Sequence, residues 1–192
     1  MSARILTVFK EGGDYKPEHV ERLRQQCAAH APGARFTCLQ GPLLLHDWPG
    51  WWSKIEMFRY DGPTLYMDLD TSVVGDLTPL LDATEQHRFI TLRNPLSTPS
   101  KFGSGLMAWS GDMLDVYARF AQDPAYHMRR CVTQEIWGDQ GFIAETETPD
   151  AYWQDLFPGQ VVSWKVDCKQ GVPKDARVVY FHGTPRPWQV GM

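Results

Sequence analysis

The strand, helix and second strand read in residues 4–39 restrict the fold more than any other feature of this chain. Arg4 to Phe9 is β-branched and apolar and runs into the turn-forming Gly12-Gly13-Asp14, the pattern of a buried strand that empties into a loop. Pro17 opens a helix with Val20, Leu23 and Cys27 on one face, and Ala31-Pro32-Gly33 stops it. Arg35 to Leu39 is the next strand. Such a unit closes as a right-handed crossover between parallel strands, and ligands gather at the carboxyl ends of sheets built this way. The fold class predicted is α/β, with a mostly parallel central sheet flanked by helices.

At 192 residues the chain suits one domain, read here as 1–192, since no repeat, low-complexity tract or composition shift divides it. Gly41 to Trp52, with Trp48, Trp51 and Trp52, suits an ordered loop packed on the body. Ser53 is predicted to cap a short helix through Lys54, Ile55, Met57 and Phe58, which Asp61-Gly62-Pro63 ends. One strand is then predicted from Thr64 to Val74, with others at Arg88 to Leu92, Leu106 to Trp109, Val161 to Val166 and Arg177 to Phe181. Helices fit Leu77 to Leu81, Asp112 to Ala121 and the stretch after Asp139.

The net charge of -4 supplies no general field for gathering polyanions, so duplex DNA is not an obvious partner. Cys27, Cys38, Cys131 and Cys168 form no close pair and are read as reduced core thiols rather than a zinc knuckle or disulfide framework. Ile5 to Phe9 is too short for the core of a signal peptide, and no run reaches the ~20 apolar residues of a membrane span, so a cytoplasmic protein is expected.

Chemistry concentrates first in the run from Thr64 to Asp70. On one continuous strand, Asp68 and Asp70 share a face while Leu65, Met67 and Leu69 pack on the other. Two carboxylates about 6 Å apart at an effective dielectric of about 20 repel by roughly 3 kcal/mol, a cost that a divalent cation reverses. The alternative is that one Asp caps the turn toward Asp76 and the other faces water.

The stretch from Gly62 to Leu77 resembles the metal-binding D-x-D strand of GT-A glycosyltransferases and is especially similar to glycosyltransferase family 8. The segment Val178 to Trp188 resembles that family's closing His-Gly and Lys-Pro-Trp motif, with Arg186 standing where Lys is usual. The resemblance implies a GT-A, Rossmann-like domain that transfers a sugar from a nucleotide-sugar donor. It also implies that Asp68 touches the donor's ribose or sugar and the metal site, that Asp70 reaches the metal, that His182 completes its coordination, and that Arg186 with Gly183 meets the diphosphate. Two carboxylates, an imidazole and phosphate oxygens suit Mn²⁺ somewhat better than Mg²⁺. The change to Arg186 keeps the charge but replaces a point cation with a planar fork.

Weaker matches follow in order. Lys54 lies about where the family places a basic residue that approaches the donor, and Ser104-Gly105 about where small residues let the backbone near the donor sugar. Asp139-Gln140 resembles the pair that holds sugar hydroxyls near the reaction centre, while Asp139 as a plain helix cap is the alternative. Tyr15 in the first loop is placed to stack on the base or simply to pack. UDP-sugars are the expected donors and retention of configuration the expected outcome. The acceptor stays open among a glycan, a small metabolite, a protein and a modified base in phage-like DNA. Its groove is expected from loops such as Leu43 to Trp52 and Asn94 to Lys101. A donor-binding protein without turnover and a metal-dependent nucleotidyltransferase are the competing classes; the second is weakened because Lys10 to Asp14 carries one lysine and two acids rather than a basic phosphate loop.

Overall fold

A computed structural model describes residues 3–94 and 102–192 of the chain. Strand β1 (Arg4–Val8), helix α1 (Pro17–His30) and strand β2 (Phe36–Leu39) form the expected crossover, with Ile5 opposite Phe36 in a parallel pair. Val20, Leu23 and Cys27 are the buried apolar face of α1, as the helical spacing requires. Strand β3 (Thr64–Met67) joins β1 in parallel on its other side. A second strand, β4 (Thr71–Val73), and helix α2 (Thr78–Gln86) lead to β5 (Phe89–Arg93) and β6 (Phe102–Trp109).

Helices α3 (Leu114–Gln122), α4 (Pro124–Arg130) and α5 (Gly138–Thr146) precede the short strand β7 (Ala151–Tyr152) and helix α6 (Trp153–Leu156). The main sheet has the order β2-β1-β3-β6-β5-β7, in which β6 alone opposes the other strands, so the sheet is mostly parallel. Successive side chains enter opposite cores. Ile5, Leu65 and Met67 pack with α1, α2 and Trp153, while Leu6 and Tyr66 pack with the 3-10 segment Gly50–Arg59, α3 and α5.

A second sheet consists of β4, β8 (Val161–Ser163) and β9 (Val178–Tyr180), with β9 in the middle, antiparallel to β4 and parallel to β8. The single strand expected from Thr64 to Val74 is therefore two strands in two sheets. The chain turns at Asp68 to Asp70, where the Thr71 amide donates to the Asp68 carbonyl at 3.0 Å. Apolar alternation could not reveal this break, because Leu69 and Val73 stay in the same core as Leu65 and Met67 across it. The reading of two aspartates on one strand face is corrected: both lie in the turn.

Three further expectations change. Ser53 caps nothing; Pro49 precedes the 3-10 segment, and the Ser53 hydroxyl donates inside it to the Gly50 carbonyl at 2.8 Å. The strand at Val161 ends at Ser163, whose side chain accepts from the Val166 amide and starts helix α7 (Trp164–Asp167). The strand expected from Leu106 begins at Phe102, so that Gly103 to Gly105 lies inside β6. The four cysteines are buried and free, and among the described residues no helix is long and apolar enough to cross a membrane. Of the loop Asn94 to Lys101, residues 95–101 lie outside the described residues.

Candidate active site

Two adjoining cavities of about 590 and 720 Å³ open beyond the carboxyl ends of β1 and β3 and share Tyr15, Trp51, Lys54, Asp68 and Arg186 as walls. Every residue singled out in the sequence (Tyr15, Lys54, Asp68, Asp70, Ser104, Gly105, Asp139, Gln140, His182, Gly183 and Arg186) lines the larger one. They arrive from six segments: the loop after β1, the 3-10 segment, the β3–β4 turn, β6, the first turn of α5 and the loop after β9. The smaller cavity extends over Lys10 to Asp14, Asp47 and Pro49.

Asp68 leaves β3 held to β6 by its amide, which donates to the Gly105 carbonyl at 2.8 Å. A Cβ on Gly105 would just touch the Asp68 carboxylate, at 3.4 Å. The Tyr66 hydroxyl donates to Asp68 at 2.5 Å, and the buried Lys54 ammonium donates to Asp68 at 3.0 Å. Lys54 also meets Asp139 at 2.8 Å and Ser104 Oγ at 3.2 Å, and Ser104 donates to Asp139 at 2.7 Å. Burial alone would push the Lys54 pKa down, but Asp139 and Asp68 outweigh it and hold the ammonium above its ordinary range. Lys54 is therefore no solvent-facing lysine, and Asp139 is no simple helix cap, since Trp137 holds the cap position of α5.

Asp70 is buried and pairs directly with the Arg186 guanidinium, which also lies 3.9 Å from Asp14. Burial, and then the neighbouring Asp68 charge, raise the Asp70 pKa from 3.8 to about 6 against the opposing pull of Arg186. Tyr15 bonds Asp70, its pKa is raised by burial and then by Asp70 and Asp68, and its ring carries Arg186 above it at 5.2 Å. His182 Nε2 sits 2.9 Å from Ser163 Oγ; burial, then the Lys165 charge, lower its pKa. Gly183 adopts a left-handed φ of +72°, and a Cβ there would come within 3.4 Å of Lys165 Nζ.

No protein-family model matches the sequence, and no curated protein matches it. Solved structures do. The glycosyltransferase GlyE of Streptococcus pneumoniae TIGR4 superimposes with a TM-score of 0.64 at 10% identity, over 98% of this chain and 56% of the GlyE chain. The present chain thus spans little more than half of GlyE. The galactosyltransferase LgtC, in complex with donor and acceptor sugar analogs, gives 0.62 at 11% identity, over 96% of this chain and 89% of LgtC. A glycosyltransferase involved in glycosylation of the major capsid of PBCV-1 gives 0.59 at 18% identity, over 94% and 93%. This chain has the GT-A fold.

Within this GT-A fold the two carboxylates fit a hard divalent cation in one respect: Asp70 is buried in the field of the Asp68 charge, which a cation relieves. They are also each balanced internally, Asp68 by Lys54 and Asp70 by Arg186. Among the described residues no three His, Cys, Asp or Glu side chains are clustered as a ready ligand set. Several lining residues escaped the sequence reading. Tyr66 stands two residues before Asp68, and strand alternation would have placed it on the same face; Lys165 fell inside a stretch read as strand. Trp137, 52% exposed, edges the larger cavity with no motif to mark it, whereas Trp51, 54% exposed, belongs to the Leu43 to Trp52 loop expected to build the acceptor groove.

Proposed function

We propose that the chain is a metal-dependent glycosyltransferase that takes a nucleotide-sugar donor, with UDP-sugars first among the candidates. One observation carries the reading: the Asp68–Asp70 turn, His182, Arg186 and the Asp139-Gln140 pair line a single cavity of about 720 Å³ at the sheet's carboxyl edge. The likeness to LgtC, a structure that holds donor and acceptor sugar analogs, supports it. The nucleoside would occupy the smaller cavity between Tyr15 and Trp51, and the sugar the larger one. Asp68, Asp70 and His182 would hold Mn²⁺ or Mg²⁺, which when bound supplies Lewis-acid stabilisation of the departing diphosphate. Arg186 adds positive charge beside that leaving group, Asp139 and Gln140 accept and donate to sugar hydroxyls, and Lys54 holds the carboxylates of Asp68 and Asp139 in place. Retention of configuration belongs to the same proposal and rests on the family resemblance alone. The acceptor would enter past the indoles of Trp51 and Trp137, which offer flat apolar faces for stacking.

A thermal screen tests donor binding. UDP or a UDP-sugar at about a hundred times its dissociation constant adds about 2.7 kcal/mol by linkage, and at roughly 2–4 °C per kcal/mol the midpoint should rise about 5–10 °C. The rise should require Mn²⁺ or Mg²⁺ and vanish with chelator. If no nucleoside diphosphate among UDP, GDP, ADP and CDP shifts the midpoint with metal present, the reading fails. Product analysis then separates sugar transfer from binding without turnover and from pyrophosphate release.

Arg186 can be examined in the same assay. Arg186→Ala should weaken UDP binding about tenfold or more, the scale of a lost charged hydrogen bond to phosphate, while Arg186→Lys should keep most of it because the charge remains. An Ala variant that binds better than the Lys variant contradicts the assignment.

A further inference from the structure

Helix α1 carries a polar row beside its apolar stripe, and the row runs along the back of the Asp68–Asp70 turn. His19 stacks on Trp188 with ring centroids 3.6 Å apart. One turn on, Arg22 Nη2 donates to the Leu69 carbonyl at 2.7 Å and to the Thr71 carbonyl at 2.9 Å. Its Nη1 donates to Ser72 Oγ at 3.0 Å, Gln26 Oε1 at 3.3 Å and the Met192 carbonyl at 3.4 Å. Gln26 Oε1 in turn accepts from the Val73 amide at 3.0 Å.

Leu69 and Thr71 are the two neighbours of Asp70 in the chain. Here the chain leaves one sheet for another, and one guanidinium takes the carbonyl on either side of Asp70. The fork of Arg is the side chain suited to this, since its donors are fixed in one plane, whereas an ammonium is a point. We propose that Arg22 is a positioning residue for Asp70: it fixes the backbone on both sides of that carboxylate and so sets where the carboxylate stands in the cleft. The proposal rests on the reading of Asp70 as part of a metal and diphosphate site. It assigns to α1 a role in that site beyond covering the sheet.

The test is Mn²⁺ binding in the presence of UDP, followed by the paramagnetic signal of free Mn²⁺, so that no turnover is needed. Arg22→Met should weaken Mn²⁺ binding about tenfold or more, the usual scale for a residue that orients a ligand from behind. Arg22→Lys should fall between wild type and Arg22→Met, since it keeps the charge but reaches one carbonyl. Arg177→Met is the matched control: Arg177 also holds a backbone carbonyl, that of Asp76 at 2.7 Å, but stands outside the cleft. It should lower the thermal midpoint with Mn²⁺ binding unchanged. Binding within about twofold of wild type in a folded Arg22→Met protein, or in Arg22→Lys where the Met variant does not fold, overturns the proposal and makes Arg22 a structural clamp only. A wild-type protein that binds no Mn²⁺ with any nucleoside diphosphate overturns the functional reading, and this proposal with it.

Discussion

Asp70→Asn should abolish metal-dependent donor binding and turnover while leaving the unliganded fold at least as stable as wild type at neutral pH. The carboxylate is buried, and burial with the Asp68 charge raises its pKa from 3.8 to about 6. A carboxyl with a raised folded-state pKa binds more protons folded than unfolded between about pH 4 and 6, so its contribution to stability falls as pH rises through that window. At pH 7 the ionised group is a net cost that Asn removes, and Arg186, which loses its main partner, still has Asp14 at 3.9 Å. Thermal midpoints from pH 4.5 to 7.5 should therefore show wild type gaining on the variant as pH drops below about 6. Metal-dependent binding should weaken in wild type over the same interval, as Asp70 takes up its proton. Asp76→Asn is the contrast. Asp76 is exposed, accepts from the Thr78 amide at 2.9 Å just ahead of α2 and lies 3.5 Å from Arg177, so about 1 kcal/mol of local stability is at stake and activity should persist. Equal loss of activity in both variants would defeat the assignment of Asp70.

Lys54→Met should be the most destabilising of the site substitutions. The ammonium is shared by Asp68 and Asp139, and its side chain is only 7% exposed. Removing one partner of a buried ionic network strands the others, at about 3–5 kcal/mol, which for a chain of this size lowers the midpoint by roughly 6–20 °C. A midpoint within about 2 °C of wild type at pH 7.5 would mean that water replaces Lys54 without cost and that the network is not what holds Asp68 and Asp139.

The first crossover was legible because three local signals agreed: apolar runs in β1 and β2, helical spacing in α1, and Gly/Pro stops between them. The membership of the cleft was legible for a different reason. Asp68, Asp139 and His182 stand in short segments that resemble motifs of a known family, and each of those segments borders the cavity. What stayed hidden depends on contacts distant in the chain. The break at Asp68–Asp70 rests on Arg22, 47 positions from Leu69, and on the Gly105 carbonyl of β6. The burial of Lys54 needs Asp139 and Ser104 beside it, and nothing in Trp52 to Phe58 distinguishes an inward lysine from an outward one. Ser163 ends β8 by capping α7, yet the apolar run around it reads equally well as continued strand.

The position of β9 bears on how the protein is made. It is the central strand of the small sheet, although β4 and β8 both precede it in the chain. On a ribosome, β4 and β8 must wait with unpaired edges until residues 178–180 emerge, and the loop with His182 and Arg186 follows only then. β4 thus stands with an open edge from its own synthesis until β9 follows, and pausing of translation between residues 73 and 178 would lengthen that exposure. The small sheet closes in one step, with the docking of a single short strand, and the same step brings His182 and Arg186 to the cleft.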